Sequence, residues 1–466
     1  MIHDFVILGA SGDLTRRYLL PAIARLKHYG RLPESLKITG VARNAWTVDE
    51  FRQRIHEGLE QHAADLPVSI RTGLLSRLEY RQADVADSAQ LRLALGERDR
   101  PLIAYLALPP ATFDSAIRAL AAAGLPPNSR LVIEKPFGVS LSSARQLNQL
   151  LHRLFPEEAI FRLDHFLGIQ TVQNIIGLRF ANRIFEPLWS RAHIRKVEII
   201  WDEMLALEGR ASYYDSTGAL LDMIQNHLLQ LLCLVGMEAP ITLGQRDLRD
   251  RKVDVLRAVR RLTPEEVERQ TVRARYTAGR IGERQIPAYT SEKGVDPTRD
   301  TETFAAVILT IDNWRWAGVP FLLRSGKALG KTRKEIAIHF EPVPHLAFCV
   351  DRPPTPNLLR IGIDPDRVEL QVSLNKPGDP FSIQEITLGT ELARPDLPAY
   401  GRLLLDVIEG RTAFTIRADE AEESWRIVEP ILSVWKQGRP PLREHPAGSL
   451  DPETPGTGAV LPRAGC

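Results

Sequence analysis

"FVILGASGDLTRRYLLPAIARLKHYG", residues 5–30, is the stretch that decides the fold. Phe5–Leu8 is a short apolar run of the kind that forms a buried strand, and residues 15–30 carry apolar side chains at helical spacing and close on Gly30. Between them stands Gly9-Ala-Ser-Gly-Asp-Leu14. Glycines at 9 and 12 let the backbone turn tightly and approach a pyrophosphate, which then rests on the helix N-terminus. The dinucleotide fingerprint is incomplete, because Ser11 takes the place of its second glycine and Leu14 of its third. Alone, such a turn is equally a plain strand–helix connection. Its strand–turn–helix setting favours the coenzyme reading, with Gly9, Ser11, Gly12, Asp13 and Leu14 as the cradle.

Outward from there the pattern repeats. "LKITGVAR" (36–43), "LEYRQADV" (78–85), "PLIAYLALPP" (101–110) and "RLVIEKP" (130–136) read as strands, with helical stretches such as "TFDSAIRALAAAG" between them. This alternation predicts a parallel sheet covered by helices on both faces, an α/β Rossmann-type dinucleotide-binding domain over residues 1–164. The second strand ends on Arg43, with no acid there to hold a ribose 2′-hydroxyl. A guanidinium suits a 2′-phosphate, so NADP is expected, with NAD as a second possibility. Asp84 and Val85, at the end of the third strand, lie where an adenine would rest.

From residue 165 the character changes. "GIQTVQNIIGLRFANRIFEPLW" predicts a long helix, "HIRKVEIIWDE" (193–203) a strand and "ALLDMIQNHLLQLLCLVG" a helix. The runs "FAAVILTIDNW", "PFLLRSG", "EIAIHFEP", "LLRIGI" and "VELQVSLN" then predict an α+β domain over 165–466 with a large, mainly antiparallel sheet. The Pro- and Gly-rich tail from Pro440 is expected to pack poorly.

With 466 residues, 44% hydrophobic, 25% charged and a net charge of +2, the composition is that of a globular protein and points to no nucleic-acid or membrane partner. No apolar run reaches the roughly 18 residues that span a bilayer. The chain starts straight into a strand pattern, unlike a signal peptide. Cys233, Cys349 and Cys466 are scattered without metal-ligand spacing, so no metal site is expected, and reduced thiols in a cytoplasmic protein are the simplest reading.

Several residues carry chemistry. In "RLDHFLGIQTVQN" (162–174) an acid and a base, Asp164 and His165, end an apolar run. Lys135 of "VIEKPFG" ends a parallel strand, where open α/β sheets bind ligands, and the proline after it holds it extended. His227 sits among leucines in "LLDMIQNHLLQLLCL", as a packed core histidine or as a base. Asp222 lies five residues earlier, about 140° around an α-helix, so the two are expected to flank a pocket without sharing a face. A base needs an orienting acid, and Asp164 is the leading candidate. "FLLRSGKALGKTRK" (321–334) is a basic loop, either a solvated turn or a phosphate clamp.

These stretches, with "YLALPP", "LEGRASYYDSTGALLDMIQNHLLQLLCL", "DTETFAAVILTIDNWRWAGVPFLLRSGKAL" and "HPAGSL", resemble the glucose-6-phosphate dehydrogenase family in order and over nearly the whole chain. The resemblance implies oxidation at C1 of glucose 6-phosphate to 6-phosphogluconolactone with hydride transfer to NADP. It also implies a large sheet that pairs two copies, in a homodimer or homotetramer. It puts the general base on His227, its orienting carboxylate on Asp164, and sugar hydroxyl contacts on Glu203 and Asp222. Lys135 falls between coenzyme and sugar, and His165 and Lys327 on the phosphate. Gly9, Ser11, Gly12, Asp13, Leu14, Arg43, Asp84 and Val85 match coenzyme positions.

The chain also departs from the family. The family's Asp-His-Tyr-Leu-Gly-Lys-Glu reads Asp164-His165-Phe166-Leu167-Gly168-Ile169-Gln170 here, so a phenol and a lysine that serve the sugar phosphate are replaced. Five residues after Lys327, another phosphate-side position is Thr332, between Lys331 and Arg333. Either neighbouring bases compensate, or the preferred sugar is not a 6-phosphate. The alternatives are therefore an aldose dehydrogenase of the same fold for a neutral or differently substituted sugar, and a catalytically silent homologue. Retention of Asp164, His227, Lys135 and Glu203 together argues against the silent one.

Overall fold

A computed structural model describes residues 2–207, 209, 211–346, 354–452 and 455; Cys349 and Cys466 lie outside them. The chain forms two compact units. The first comprises Met1–Ile169, Pro240–Arg249 and Pro395–Glu422, and the second Gln170–Ala239, Asp250–Arg394 and Glu423–Cys466. A single boundary at 164/165 therefore misses two later segments that return to the first unit. One of them carries the helix Ala399–Glu409, whose Leu403, Leu404, Leu405 and Val407 join the core built on Phe5, Ile7 and Tyr105.

The sheet of the first unit holds β1 (Asp4–Leu8), β2 (Lys37–Ala42), β3 (Leu78–Gln82), β4 (Leu102–Leu106), β5 (Arg130–Glu134) and β6 (Ile160–Leu163). All neighbours are parallel and the order is β3-β2-β1-β4-β5-β6, the expected Rossmann arrangement. Strands covered on both faces need continuous apolar runs, and Leu102–Leu106 is buried at every position. The strand order reverses between β1 and β4, so the glycine turn after β1 opens at the switch point.

The helix after that turn differs in detail from the expected one. Pro21 has no N–H to give to the preceding turn, and the segment begins as a wide π-turn, Thr15–Leu19, before Leu20–His28 continues as α-helix. It closes as expected on Gly30, at φ +62°, with the Arg31 N–H bonded to the Leu26 carbonyl at 2.8 Å.

In the second unit β7 (Ile194–Asp202), β8 (Thr271–Thr277), β11 (Phe304–Thr310), β12 (Pro320–Gly326), β13 (Arg333–Phe340), β14 (Leu358–Asp364), β15 (Asp366–Lys376), β16 (Asp379–Glu391) and β17 (Arg443–Pro446) form one sheet. The short strands β9 (Gly279–Ile281) and β10 (Arg284–Ile286) pair separately. The nine-stranded order is β16-β15-β14-β13-β7-β12-β11-β8-β17. Pairing is antiparallel except for β7 with β12 and β8 with β17, so the sheet is large and mixed.

Two expectations are corrected here. The long helix from Gly168 runs only from Gln170 to Phe180, because Asn182 donates to the carbonyls of Gly177 (3.2 Å) and Leu178 (3.1 Å) and ends it. The first part of the tail from Pro440 does pack, since Arg443–Pro446 is a strand and His445 within it is buried, while 453, 454 and 456–466 lie outside the described residues. No helix among the described residues is long and apolar enough to cross a membrane.

Candidate active site

The glycine turn has the geometry that a dinucleotide needs. Gly9 has φ +87°, and a Cβ on it would fall 2.3 Å from the Ala107 carbonyl oxygen, so only glycine fits. The Gly9 and Ala10 N–H groups are anchored on the Val41 carbonyl at 2.8 and 3.1 Å, which ties the turn to the end of β2. Ser11 is exposed and Gly12 half-buried, so the approach to the backbone is open. Asp13 is turned to Arg17 (3.2 Å) and Arg16 (3.6 Å) as a surface ion pair. Arg43 is exposed one residue past β2, Asp84 half-buried and Val85 buried after β3, and Leu14 half-buried. The cradle, the free surface of Arg43 and the strand order fit a nicotinamide dinucleotide.

Lys135 follows β5 directly, half-buried, with a cis peptide to Pro136. Beside it, Glu134 accepts the hydroxyls of Tyr105 and Tyr400. Burial pushes the Glu134 carboxyl up to about 7, against the two phenols and Lys135, which lower it. Tyr400 in turn stacks on the His165 ring at 5.8 Å with planes 9° apart. Asp164 is 1% exposed, and its Oδ1 accepts the Phe166 N–H at 3.0 Å, capping the short 3-10 turn His165–Gly168. Gly168 has its own reason: a Cβ there would stand 2.4 Å from the Ala399 carbonyl oxygen, closing off the seat of the helix Ala399–Glu409.

In the second unit Glu203 follows β7, its N–H on the Gly326 carbonyl at 2.9 Å. Its carboxylate meets Lys327 Nζ on one oxygen and Lys334 Nζ at 3.7 Å on the other. Asp222 and His227 lie on a nine-residue π-helix, Leu220–Leu228. This corrects the expected α-helical 140° separation. In a π-helix the N–H of residue i+5 bonds the carbonyl of residue i, so residues five apart lie nearly above one another. Asp222, half-buried, and His227, 1% exposed, therefore share a face.

The start of that helix is held by a residue that the sequence reading missed. Glu302 is 8% exposed; its Oε1 accepts the Leu220 N–H at 2.9 Å, and its own carbonyl accepts the Ala219 N–H at 3.2 Å. Gly218, at φ +67°, passes so close that a Cβ would lie 2.4 Å from the same carboxylate oxygen. Burial pushes the Glu302 carboxyl up to about 7, partly offset by the backbone N–H bonds it receives.

The family described as "Glucose-6-phosphate dehydrogenase, NAD binding domain" matches residues 6–174, and the one described as "Glucose-6-phosphate dehydrogenase, C-terminal domain" matches 176–457. The chain belongs to the glucose-6-phosphate dehydrogenase family. A glucose-6-phosphate 1-dehydrogenase of Treponema pallidum is 41% identical over 97% of this chain and 92% of its own length. That of Gluconobacter oxydans is 39% identical over 97% and 94%. The crystal structure of glucose-6-phosphate 1-dehydrogenase from Mycobacterium avium superposes with a TM-score of 0.85 at 36% identity, covering 97% of this chain and 96% of its own. A glucose-6-phosphate dehydrogenase in complex with its substrate glucose 6-phosphate gives 0.88 at 31%, with the same coverage.

As a glucose-6-phosphate dehydrogenase family member, this chain gathers its expected site residues in two sets. The first unit holds the glycine turn, Arg43, Asp84, Val85, Lys135, Asp164 and His165, and the second holds Glu203, Asp222, His227 and Lys327. Sequence reasoning missed Glu134, Tyr400 and Glu302. Glu134 adjoins a lysine already singled out, and Glu302 is an acid two residues before the apolar run of β11, which is the signal that was available.

Glu302 has a titration consequence. Its folded value lies above the ordinary 4.5, so the protonated carboxyl belongs to the folded state. The stability it contributes is present below about pH 4.5 and is lost as pH rises toward 7. Glu302→Gln keeps the acceptor for Leu220 and removes the titration. Relative to the unchanged protein it should gain about 3 kcal/mol between pH 5 and 8, read as a growing difference in melting temperature. A difference that is flat with pH means that the folded protein keeps this carboxyl ionised.

Proposed function

We propose that this chain oxidises glucose 6-phosphate at C1 to 6-phosphogluconolactone with NADP as hydride acceptor, His227 serving as general base. The reading rests above all on the π-helix Leu220–Leu228, which stacks Asp222 with His227 on one face. Gly9–Leu14, with Arg43 toward the 2′-phosphate and Asp84 and Val85 toward the adenine, would hold the coenzyme, whose nicotinamide would accept the hydride. His227 takes the proton of the C1 hydroxyl, which relieves the positive charge that builds at that carbon; such general-base help contributes about 10²–10⁴-fold. Asp164 holds the imidazole in the right tautomer and stabilises the imidazolium. Glu203 and Asp222 accept from ring hydroxyls, Lys135 lies between sugar and coenzyme, and His165 and Lys327 serve the phosphate. A cytoplasmic setting is part of the same proposal, on the sequence's scattered cysteines without metal-ligand spacing.

The phosphate end is where this chain should be weak. Phe166 is 3% exposed and Ile169 half-buried, and neither side chain can donate. Arg333 is turned to Glu335 (2.7 Å) and Glu198 (3.1 Å), which removes it as an obvious substitute. Each missing charge-assisted hydrogen bond is worth about 1.5–3 kcal/mol, or roughly tenfold or more in affinity. Steady-state kinetics with glucose 6-phosphate and glucose, each with NADP and NAD, should give the higher kcat/KM for the phosphorylated sugar with NADP. Equal kcat/KM for the two sugars would instead identify a neutral-aldose dehydrogenase. Ile169→Lys should lower KM for glucose 6-phosphate about tenfold with kcat little changed; an unchanged KM refutes the account of the lost donor.

Self-association belongs to the same proposal. In the β15–β16 ribbon Leu370 faces Leu388 and Val372 faces Ile386 across the strands, with Val368 and Leu374 on the same face. None of these side chains is fully buried, and Leu374 and Leu388 are 50% and 54% exposed. A ribbon with this apolar face suits a second copy of the chain. Sedimentation should show a dimer or tetramer that Leu388→Asp dissociates. A monomeric unchanged protein overturns this part.

A further inference from the structure

Lys327 follows β12 directly, and its Nζ meets the Glu203 carboxylate. The backbone around it is held residue by residue. The Gly326 carbonyl accepts the Glu203 N–H at 2.9 Å. The N–H groups of Lys327, Ala328 and Leu329 donate to the carbonyls of Thr303 (2.9 Å), Leu205 (2.9 Å) and Glu203 (3.0 Å). Two further bonds come from the far end of the chain. The Gly448 N–H donates to the Ala328 carbonyl at 2.8 Å, and the Gly330 N–H donates to the Ser449 carbonyl at 2.9 Å.

Ala328 shows what these bonds do. It is fully buried and sits at φ +54°, the left-handed region that a residue with a side chain enters only at a cost. Such a conformation persists where the surroundings over-determine it, and it gathers at ligand clamps. Here the N–H of Ala328 is fixed by Leu205 and its carbonyl by the tail. The tail is shaped for this approach. A Cβ on Gly330 would stand 2.3 Å from the Gly448 carbonyl oxygen, and one on Gly448, at φ +89°, 2.0 Å from that of Arg280. Ser449 closes the turn, its N–H on the Pro446 carbonyl at 3.1 Å and its Oγ 2.9 Å from His445 Nδ1. The segment is then tied at both ends. Arg443–Pro446 pairs with β8, and Asp451 meets Arg324 at 2.6 Å, whose guanidinium also holds Asp202 (2.8 Å), the residue before Glu203.

A lysine is a point charge on a flexible stem, so the backbone that carries it decides where the charge can reach. We infer that Gly448 and Ser449 are positioning residues for substrate binding, in a strap, Arg443–Asp451, that holds the loop of Lys327 in the conformation that delivers its ammonium to the sugar phosphate. This rests on the proposed role of Lys327.

Gly448→Ala puts a side chain where the Arg280 carbonyl stands and should lift the strap from the loop. It should raise KM for glucose 6-phosphate about tenfold, the size of one charge-assisted hydrogen bond, with kcat within a few-fold and KM for NADP unchanged. Ser449→Ala removes only the bond to His445 and should raise the same KM about threefold. Lys327→Ala tests the route: if the strap acts through Lys327, adding either tail change to Lys327→Ala leaves KM where Lys327→Ala alone puts it. An unmoved KM in Gly448→Ala overturns the inference, or in Ser449→Ala should Gly448→Ala not fold. So does a KM that rises by the same factor with and without Lys327, which marks a general structural role. If Lys327→Ala itself leaves KM unchanged, or the unaltered protein oxidises no aldose, the reading of the site fails and this inference with it. A raised KM for Lys327→Ala beside indifferent tail variants overturns this inference alone.

Discussion

A buried carboxyl group at the mouth of a wide helix is the constraint on which the start of the second unit's π-helix depends. Glu302 receives two consecutive N–H groups, one on its carbonyl and one on its side chain, where the π-helix Leu220–Leu228 begins. The first turn of any helix has N–H groups without internal partners. Here they are satisfied from β11's approach, so the helix starts at a fixed residue. The wide winding, not the start, puts Asp222 and His227 on one face, and Glu302 fixes where that winding begins. Gly218 is the third part of the device, since any side chain there would displace the carboxylate.

The first unit solves a similar problem with a half-buried acid. Glu134 gathers the phenols of Tyr105 and Tyr400, and Tyr400 carries the His165 ring on its face. Lys135 is the next residue along the chain, so one carboxyl fixes the surroundings of a lysine and of a histidine at once. Both acids have values near 7, because each was removed from water before it was given donors. Taking charge into an interior costs several kcal/mol, which is why both carboxyls are pushed toward the neutral form, Glu134 beside Lys135 and Glu302 at the start of the π-helix.

Much of this was legible in the sequence. The β-α-β alternation gave the parallel sheet, since covered strands must be apolar throughout, and Gly9 marked the turn because no other residue tolerates its φ and its contact with Ala107. His227, Asp222, Glu203 and Lys135 were legible as residue types in suggestive places. What stayed hidden has physical causes. Apolar spacing does not distinguish an α-helix from a π-helix over nine residues, so the relation of Asp222 to His227 was misjudged. Glu302 and Tyr400 act across the fold from distant parts of the chain, and Pro395–Glu422 reads as ordinary helix and loop with nothing to reveal which core it joins. The first part of the tail misled because composition cannot see that Arg443–Pro446 finds β8.

The replacements at 166 and 169 matter more than their number suggests, because of where they sit. Phe166 follows the aspartate whose carboxylate caps its N–H, and its ring is edge-on to His165 at 5.0 Å. Deleting a phenol oxygen there leaves the turn, the ring packing and the seat of Gly168 intact. A lysine at 169 can become isoleucine at similar little cost to the fold, since the position is half-buried and accepts an apolar stem. Such changes cost the fold little, so under the proposed function they act on binding. Packing therefore holds the scaffold whichever side chains stand at 166 and 169, and under the proposed function the effect of these two replacements falls on the sugar's phosphate end and not on the oxidised carbon.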